Sequence, residues 1–133
     1  MGTGDGRARW WESPRYAVLL VLLSAVPLLW PDVAPLVDLP GHMGRYRVQL
    51  DLAESEALQR FYDFEWRLIG NLGIDLLVVA LEPLLGLELA VRLIVLSIPP
   101  LTAAGLLMIA RVVHGRLPPT APLALVFAYS FPF

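Results

Sequence analysis

The sequence contains no lysine and no cysteine. Without cysteine there can be no disulfide, no thiolate metal site and no cysteine nucleophile, although the compartment stays open. All ten basic side chains are therefore arginine, and twelve acids bring the net charge to −2. That balance leaves no basic stripe for following a phosphate backbone, which argues against a nucleic-acid partner. Charge of either sign is scarce, at 17% of the 133 residues, whereas 57% are hydrophobic. Ordinary soluble domains lie near a quarter and a half. A Gly-rich phosphate loop, a Ser-x-x-Lys pair and a nucleophile elbow are missing too. What is present in excess is Leu, Val and Ala, and lipid is the medium that absorbs such a surplus. The chain reads as an all-α, polytopic membrane protein in contact with membrane lipid.

The spans follow from the uncharged runs. Tyr16 to Trp30 carries no charge, slightly short of the roughly 17–25 residues a membrane helix needs. Trp10, Trp11 and Tyr16 on one side and Trp30 on the other extend it as interfacial anchors. A basic start and a short apolar core also fit a cleaved signal peptide. No small-x-small cleavage site follows, however, and Pro27, Pro31 and Pro35 are poorly placed for one, so a retained anchor over 16–30 is expected. Arg7, Arg9 and Arg15 put the N-terminus in the cytoplasm, which makes this a multi-pass protein of a cell inner membrane with residues after Trp30 outside. A second span is expected over 89–113. Its uncharged core, Leu93 to Ala110, covers about 27 Å of hydrocarbon. Pro99-Pro100 in its middle predicts a kink, with Ser97 and Thr102 as candidates to bond the freed carbonyls. Arg111, His114 and Arg116 close it with a cytoplasmic basic cluster, His114 being a dipole-compatible cap. A third apolar segment, 118–133, stops at "AYSFPF" without a polar tail, so the chain is expected to be the N-terminal piece of a longer protein.

Two segments lie between the spans. From His42 to Arg67 apolar residues recur at Met43, Tyr46, Leu50, Ala53, Ala57, Phe61 and Phe64, in steps of three and four that predict helix over about 42–66. Arg47/Asp51, Glu56/Arg60 and Asp63/Arg67 are opposite charges four apart. That is too much charge to cross lipid and suits helices lying on its surface. The segment 69–85 is apolar except for Asn71, Asp75 and Glu82, which share one side. Carboxylates facing lipid would cost about 2.5–3.5 kcal/mol each, and the basic cluster after the second span obeys the positive-inside rule only if 69–85 does not cross. A juxtamembrane helix is therefore expected there.

Polar chemistry concentrates directly after the first span, in "VDLPGHMGRYRV". Together with "LIGNLGIDLLV" and "LELAVRLIVLSIPPLTAAGLLMIARVVHGRLPP", it gives the order D-x-P-x-H-x-x-R, then N-x-x-x-D, then a basic turn. In this order the chain resembles the N-terminal part of GT-C-type glycosyltransferases, which include lipid-linked aminoarabinose transferases and protein O-mannosyltransferases. It is similar, more closely, to a group of uncharacterised bacterial membrane proteins. The resemblance covers nearly the whole chain but only the first few spans of a typical GT-C enzyme. It implies transfer of a sugar from a polyprenyl-phosphate-linked donor at the outer face. It also implies that Asp38 stands where those enzymes carry the acid that acts as catalytic base or helps to bind a divalent metal. Here Leu39 follows Asp38, where better-characterised members carry a second acid, and no motif indicates a metal.

On that reading Asp38 is the catalytic residue, held in an extended segment by Leu39-Pro40-Gly41, and would deprotonate an acceptor hydroxyl. His42, Arg45 and Asp75 are the substrate-binding candidates. Arg45 would grip the donor phosphate, and His42, sharing a helix face with Arg45 and Gln49, would orient a partner or exchange a proton. Plainer roles stand beside these: Asp38 as turn or cap residue, His42 as a surface residue, Arg45 and Arg47 on lipid headgroups, and Asp75 as ion-pair partner of Arg92 or Arg67. Two other functions also fit. Asp75, Glu82 and the Pro99-Pro100 break could line the path of a transporter, or the chain could be a small membrane subunit without catalysis.

Overall fold

The computed structural model describes residues 9–31, 36–68 and 70–130. Every regular element among them is helical: a 3-10 turn at Trp10–Glu12, then α1 (Pro14–Leu29), α2 (Leu39–Asp51), α3 (Glu56–Gln59), α4 (Leu72–Leu85), α5 (Leu87–His114) and α6 (Leu123–Phe127). The chain divides into two compact units, one built from the residues up to Trp30 and from Leu96 onward, the other from Pro31 to Val95.

In the first unit α1 starts where its sequence directs. Ser13 is the N-cap, its hydroxyl accepting from the Tyr16 N–H at 3.2 Å, and Pro14 follows, where a missing N–H costs nothing. The core is made of small residues. Ala103, Ala121, Ala124 and Ala128 are buried with Leu20, Leu107 and Leu117, and Tyr16, Val21 and Tyr129 pack around them. Alanines let α6 come close to α1, as small residues do wherever apolar helices meet. Tyr129 seals the contact by donating its hydroxyl to the Ser24 carbonyl, and the buried Ser24 hydroxyl donates to the Val21 carbonyl at 2.6 Å.

Of the expected spans, the structure gives a long apolar helix to one. α5 has 28 residues and is long and apolar enough to cross a membrane. α1 is apolar but has 16 residues, about 24 Å of rise. Within the expected third span the described residues are helical only over the five residues of α6, since Pro118, Pro119 and Pro122 deprive the backbone of donors. Residues 131–133 lie outside the described residues. α5 runs through Pro99-Pro100 as one helix. The rings remove the N–H groups that would bond the Val95 and Leu96 carbonyls, and the division between the two units falls between these residues. Thr102 bonds back into the helix, but to the Ile98 carbonyl at 2.9 Å, not to either freed group.

In the second unit α2 begins at Leu39 rather than at His42 and ends at Asp51, where Arg47 meets Asp51 at 3.7 Å, one turn apart. α3 is a single turn capped by Ser55, and 62–68 is not helical. The helix expected over 42–66 is thus two short helices and an extended stretch. Tyr62, Asp63, Phe64, Glu65, Trp66 and Arg67 alternate aromatic and charged residues, a two-residue period that opposes the helical one and favours extended chain. α4 then occupies 72–85, and Gly86, with φ 77° and ψ 159°, turns the chain into α5. That conformation is essentially confined to glycine. Tyr46, Asp75, Val78, Ala90 and Val91 are the buried side chains that α2, α4 and the start of α5 contribute to this unit, with Leu87, Ile94 and Val95.

Candidate functional site

The second unit holds a polar recess of about 200 Å³. Three elements build it. α2 brings Arg45, α4 brings Leu72 and Asp75, and the extended stretch brings residues 63 to 67. Asp75 sits in the first turn of α4, where the positive end of the helix dipole favours a carboxylate. Its side chain is 2% exposed and accepts a hydrogen bond from the Arg45 guanidinium, which itself remains 33% exposed. A buried carboxylate needs such a partner, because an unpaired charge away from water is very costly. Arg92 and Arg67, the partners foreseen from the sequence, are not the ones that pair with it. Arg67 turns to Glu65, with its Nε at 2.9 Å from a carboxylate oxygen.

Around this pair the lining combines aromatic surface with groups of both charges. Phe64 and Trp66 meet edge to face, centroids 5.3 Å apart. Asp63 and Glu65 add two carboxylates to that of Asp75, against Arg45 and Arg67, so acids outnumber arginines by one. On α2 the Arg45 guanidinium lies 5.2 Å from the Tyr46 ring centre, and His42 stacks on the same Tyr46 ring with centroids 6.2 Å apart. Arg45 is thus held from two sides, by a charge and by an aromatic face. Chemically the recess offers acceptors from three acids, donors from two guanidinium forks and an apolar ring surface. A small polyhydroxyl ligand, with donors and acceptors on its edge and C–H groups on its face, matches that set better than a bare anion.

The sequence-derived candidates are therefore divided. Arg45 and Asp75, thirty residues apart, come together. His42 is half-buried beside Tyr46, one turn before Arg45. Asp38 does not line the recess. It is the exposed N-cap of α2, with φ −90° and ψ −9° and no side-chain capping bond, so it is in a helical turn and not in the extended segment expected of it. Pro40 at the second position of the helix is compatible with that start, since the first helical N–H groups have no intrahelical partner. Asp38, His42 and Arg45 fall at i, i+4 and i+7, one face of α2, which puts Asp38 about 10 Å along the axis from Arg45.

Among the described residues no three His, Asp or Glu side chains are grouped to hold a metal ion, and Asp38 has no second acid beside it in sequence. No step through a metal follows from these residues.

The residues that the sequence reading passed over are Asp63, Phe64, Glu65 and Trp66. Their alternation was the available signal. Comparison with protein-family models, with curated proteins and with solved structures finds no match for the chain.

Proposed function

We propose that the chain is the N-terminal part of a GT-C-like membrane glycosyltransferase whose recess at Arg45 and Asp75 receives the sugar of a lipid-linked donor. The observation that carries this reading is the composition of the recess: a buried, ion-paired carboxylate, two further acids, two arginines and the Phe64–Trp66 pair, in about 200 Å³. That is less than the roughly 300–1,000 Å³ of clefts for drug-sized ligands, and it suits a single sugar ring. The D-x-P-x-H-x-x-R and N-x-x-x-D order supports the family, and the long apolar α5 supports a place in the membrane.

In this reading the roles shift from those read off the sequence. Arg45 is committed to Asp75, so the pair shapes the sugar site and the Arg45 N–H groups left over reach hydroxyls. Trp66 offers its face to the ring. Asp38 is on the same side of α2 but about 10 Å along it from Arg45 and outside the recess. That is too far to take a proton from an oxygen attacking a sugar held there, so the catalytic role read from the sequence has no part in this proposal. The rival reading, a carboxylate path across the membrane through Asp75 and Glu82, has less behind it. α4 has 14 residues, about 21 Å against a hydrocarbon thickness of roughly 30 Å.

The test is a titration of the micelle-solubilised chain with a short-chain polyprenyl-phosphate hexose and with the same polyprenyl phosphate lacking the sugar. The sugar-bearing lipid is expected to bind at least tenfold more tightly, and Trp66→Ala or Asp75→Asn to erase the difference. Equal binding of the two lipids would remove the sugar site from the argument.

A further inference from the structure

The first unit contains a second concavity, unrelated to the polar recess. Between α1 and α5 lies a groove of about 320 Å³, within the size range of clefts that hold ligands. Ala17, Val21 and Leu22 of α1 and Ala104, Leu107 and Met108 of α5 form its apolar walls. Along α5 the lining positions 104, 107, 108 and 111 make one helical stripe, so Arg111 ends it on the C-terminal side. Arg111 is exposed and has no ion-pair partner among the described residues. Its stem can lie along the apolar wall while its guanidinium reaches the polar end.

That end has the composition of a headgroup zone. Arg116 reaches Glu12 at 3.4 Å, which ties the residues after α5 to those before α1 and makes the two helices antiparallel there. Trp10 packs edge to face on Trp11 and on Tyr16, with centroids 5.7 and 5.0 Å apart. Trp and Tyr gather where hydrocarbon gives way to headgroups. Arg15, exposed in the first turn of α1, adds a second cation at this end. An apolar trough that runs into a free arginine, ringed by interfacial aromatics, is complementary to one kind of molecule, with an acyl chain at one end and a negative charge at the other.

We propose that this groove holds one acyl chain of an anionic bilayer phospholipid, with the lipid phosphate on the Arg111 guanidinium. Neither the sugar site nor catalysis enters the argument, so it stands or falls apart from the function proposed above. A polypeptide helix in the groove would leave Arg111 without a counter-charge, whereas the phospholipid supplies one.

Native mass spectrometry of the chain, released from micelles containing equal amounts of dioleoyl phosphatidylglycerol and dioleoyl phosphatidylcholine, tests this. One retained lipid is expected, with phosphatidylglycerol favoured about fivefold, the ratio that one interfacial arginine supplies. Arg111→Gln should bring the two lipids to parity and Arg111→Lys should keep most of the preference. Ala104→Phe, which fills the groove and leaves every arginine in place, should lose the bound lipid altogether, with circular dichroism reporting unchanged helix in each variant. Equal retention of both lipids by the parent chain would overturn the proposal. So would a preference that survives Arg111→Gln, lipid retained undiminished by Ala104→Phe, or a lipid-free dimer in which a second copy fills the groove.

Discussion

Replacing Arg45 by methionine should be among the most damaging single changes outside the apolar core. The substitution keeps the length of the stem and removes the charge, leaving Asp75 at 2% exposure without its cation. Breaking a fully buried ion pair from one side costs about 3–5 kcal/mol, because the remaining charge has neither water nor partner. Arg45, however, is 33% exposed, so water already reaches one side of this pair. The loss therefore falls below that range, at about 2–3 kcal/mol. Asp75→Asn should cost less, about 1–2 kcal/mol, since the freed guanidinium can turn to solvent and the amide still accepts a hydrogen bond. With the two changes combined, the buried charge is gone, and the double variant should be more stable than the sum predicts by about 1.5 kcal/mol. Denaturant unfolding of the chain in detergent micelles, followed by far-ultraviolet circular dichroism, gives the four free energies of the cycle. Hydrogen exchange at the first turn of α4 should accelerate in Arg45→Met while the α1–α6 contact stays protected. The reasoning fails if Arg45→Met lies within about 0.5 kcal/mol of the parent, the range of an ordinary surface change, or if the two substitutions simply add.

Two glycines should respond to alanine with opposite signs. Gly86→Ala forces a β-carbon onto φ 77°, ψ 159° and should cost about 1–3 kcal/mol although nothing stands within 4 Å of it. Gly105→Ala, inside α5 and equally open, should stabilise by roughly 0.5–1 kcal/mol; the same micelle unfolding assay reads both. The chain's lack of cysteine allows its topology to be probed directly. Ser55→Cys and His114→Cys, treated in intact cells with a membrane-impermeant thiol reagent, should label at Ser55 alone, whereas labelling of both would require an additional crossing. His114 serves better than its neighbour Gly115, whose φ of 68° a cysteine would strain.

The sequence determined the helical class and the location of its two most apolar helices, α1 and α5, although not every helix start: α2 begins at Leu39 and not at His42. Ser13-Pro14 and the uncharged runs dictate α1 and α5 from local chemistry alone, since capping and hydropathy act within one turn or one segment. Gly86 likewise marks the end of α4 because few other residues tolerate its backbone. Between Asp51 and Asn71 the sequence was equivocal. Apolar steps of three and four competed with the alternation of Tyr62 to Arg67, and both patterns are local, so neither could overrule the other. Tertiary structure decided that contest by using 63 to 67 as one wall of the recess. It also decided the partner of Asp75. Arg92 and Arg67 were the partners that charge and sequence proximity suggested, and only the packing of α2 beside α4 brings Arg45, thirty positions away, to the buried carboxylate. The groove that ends at Arg111 was equally beyond local reading, since its walls come from α1 and α5, whose lining residues are more than seventy residues apart in sequence.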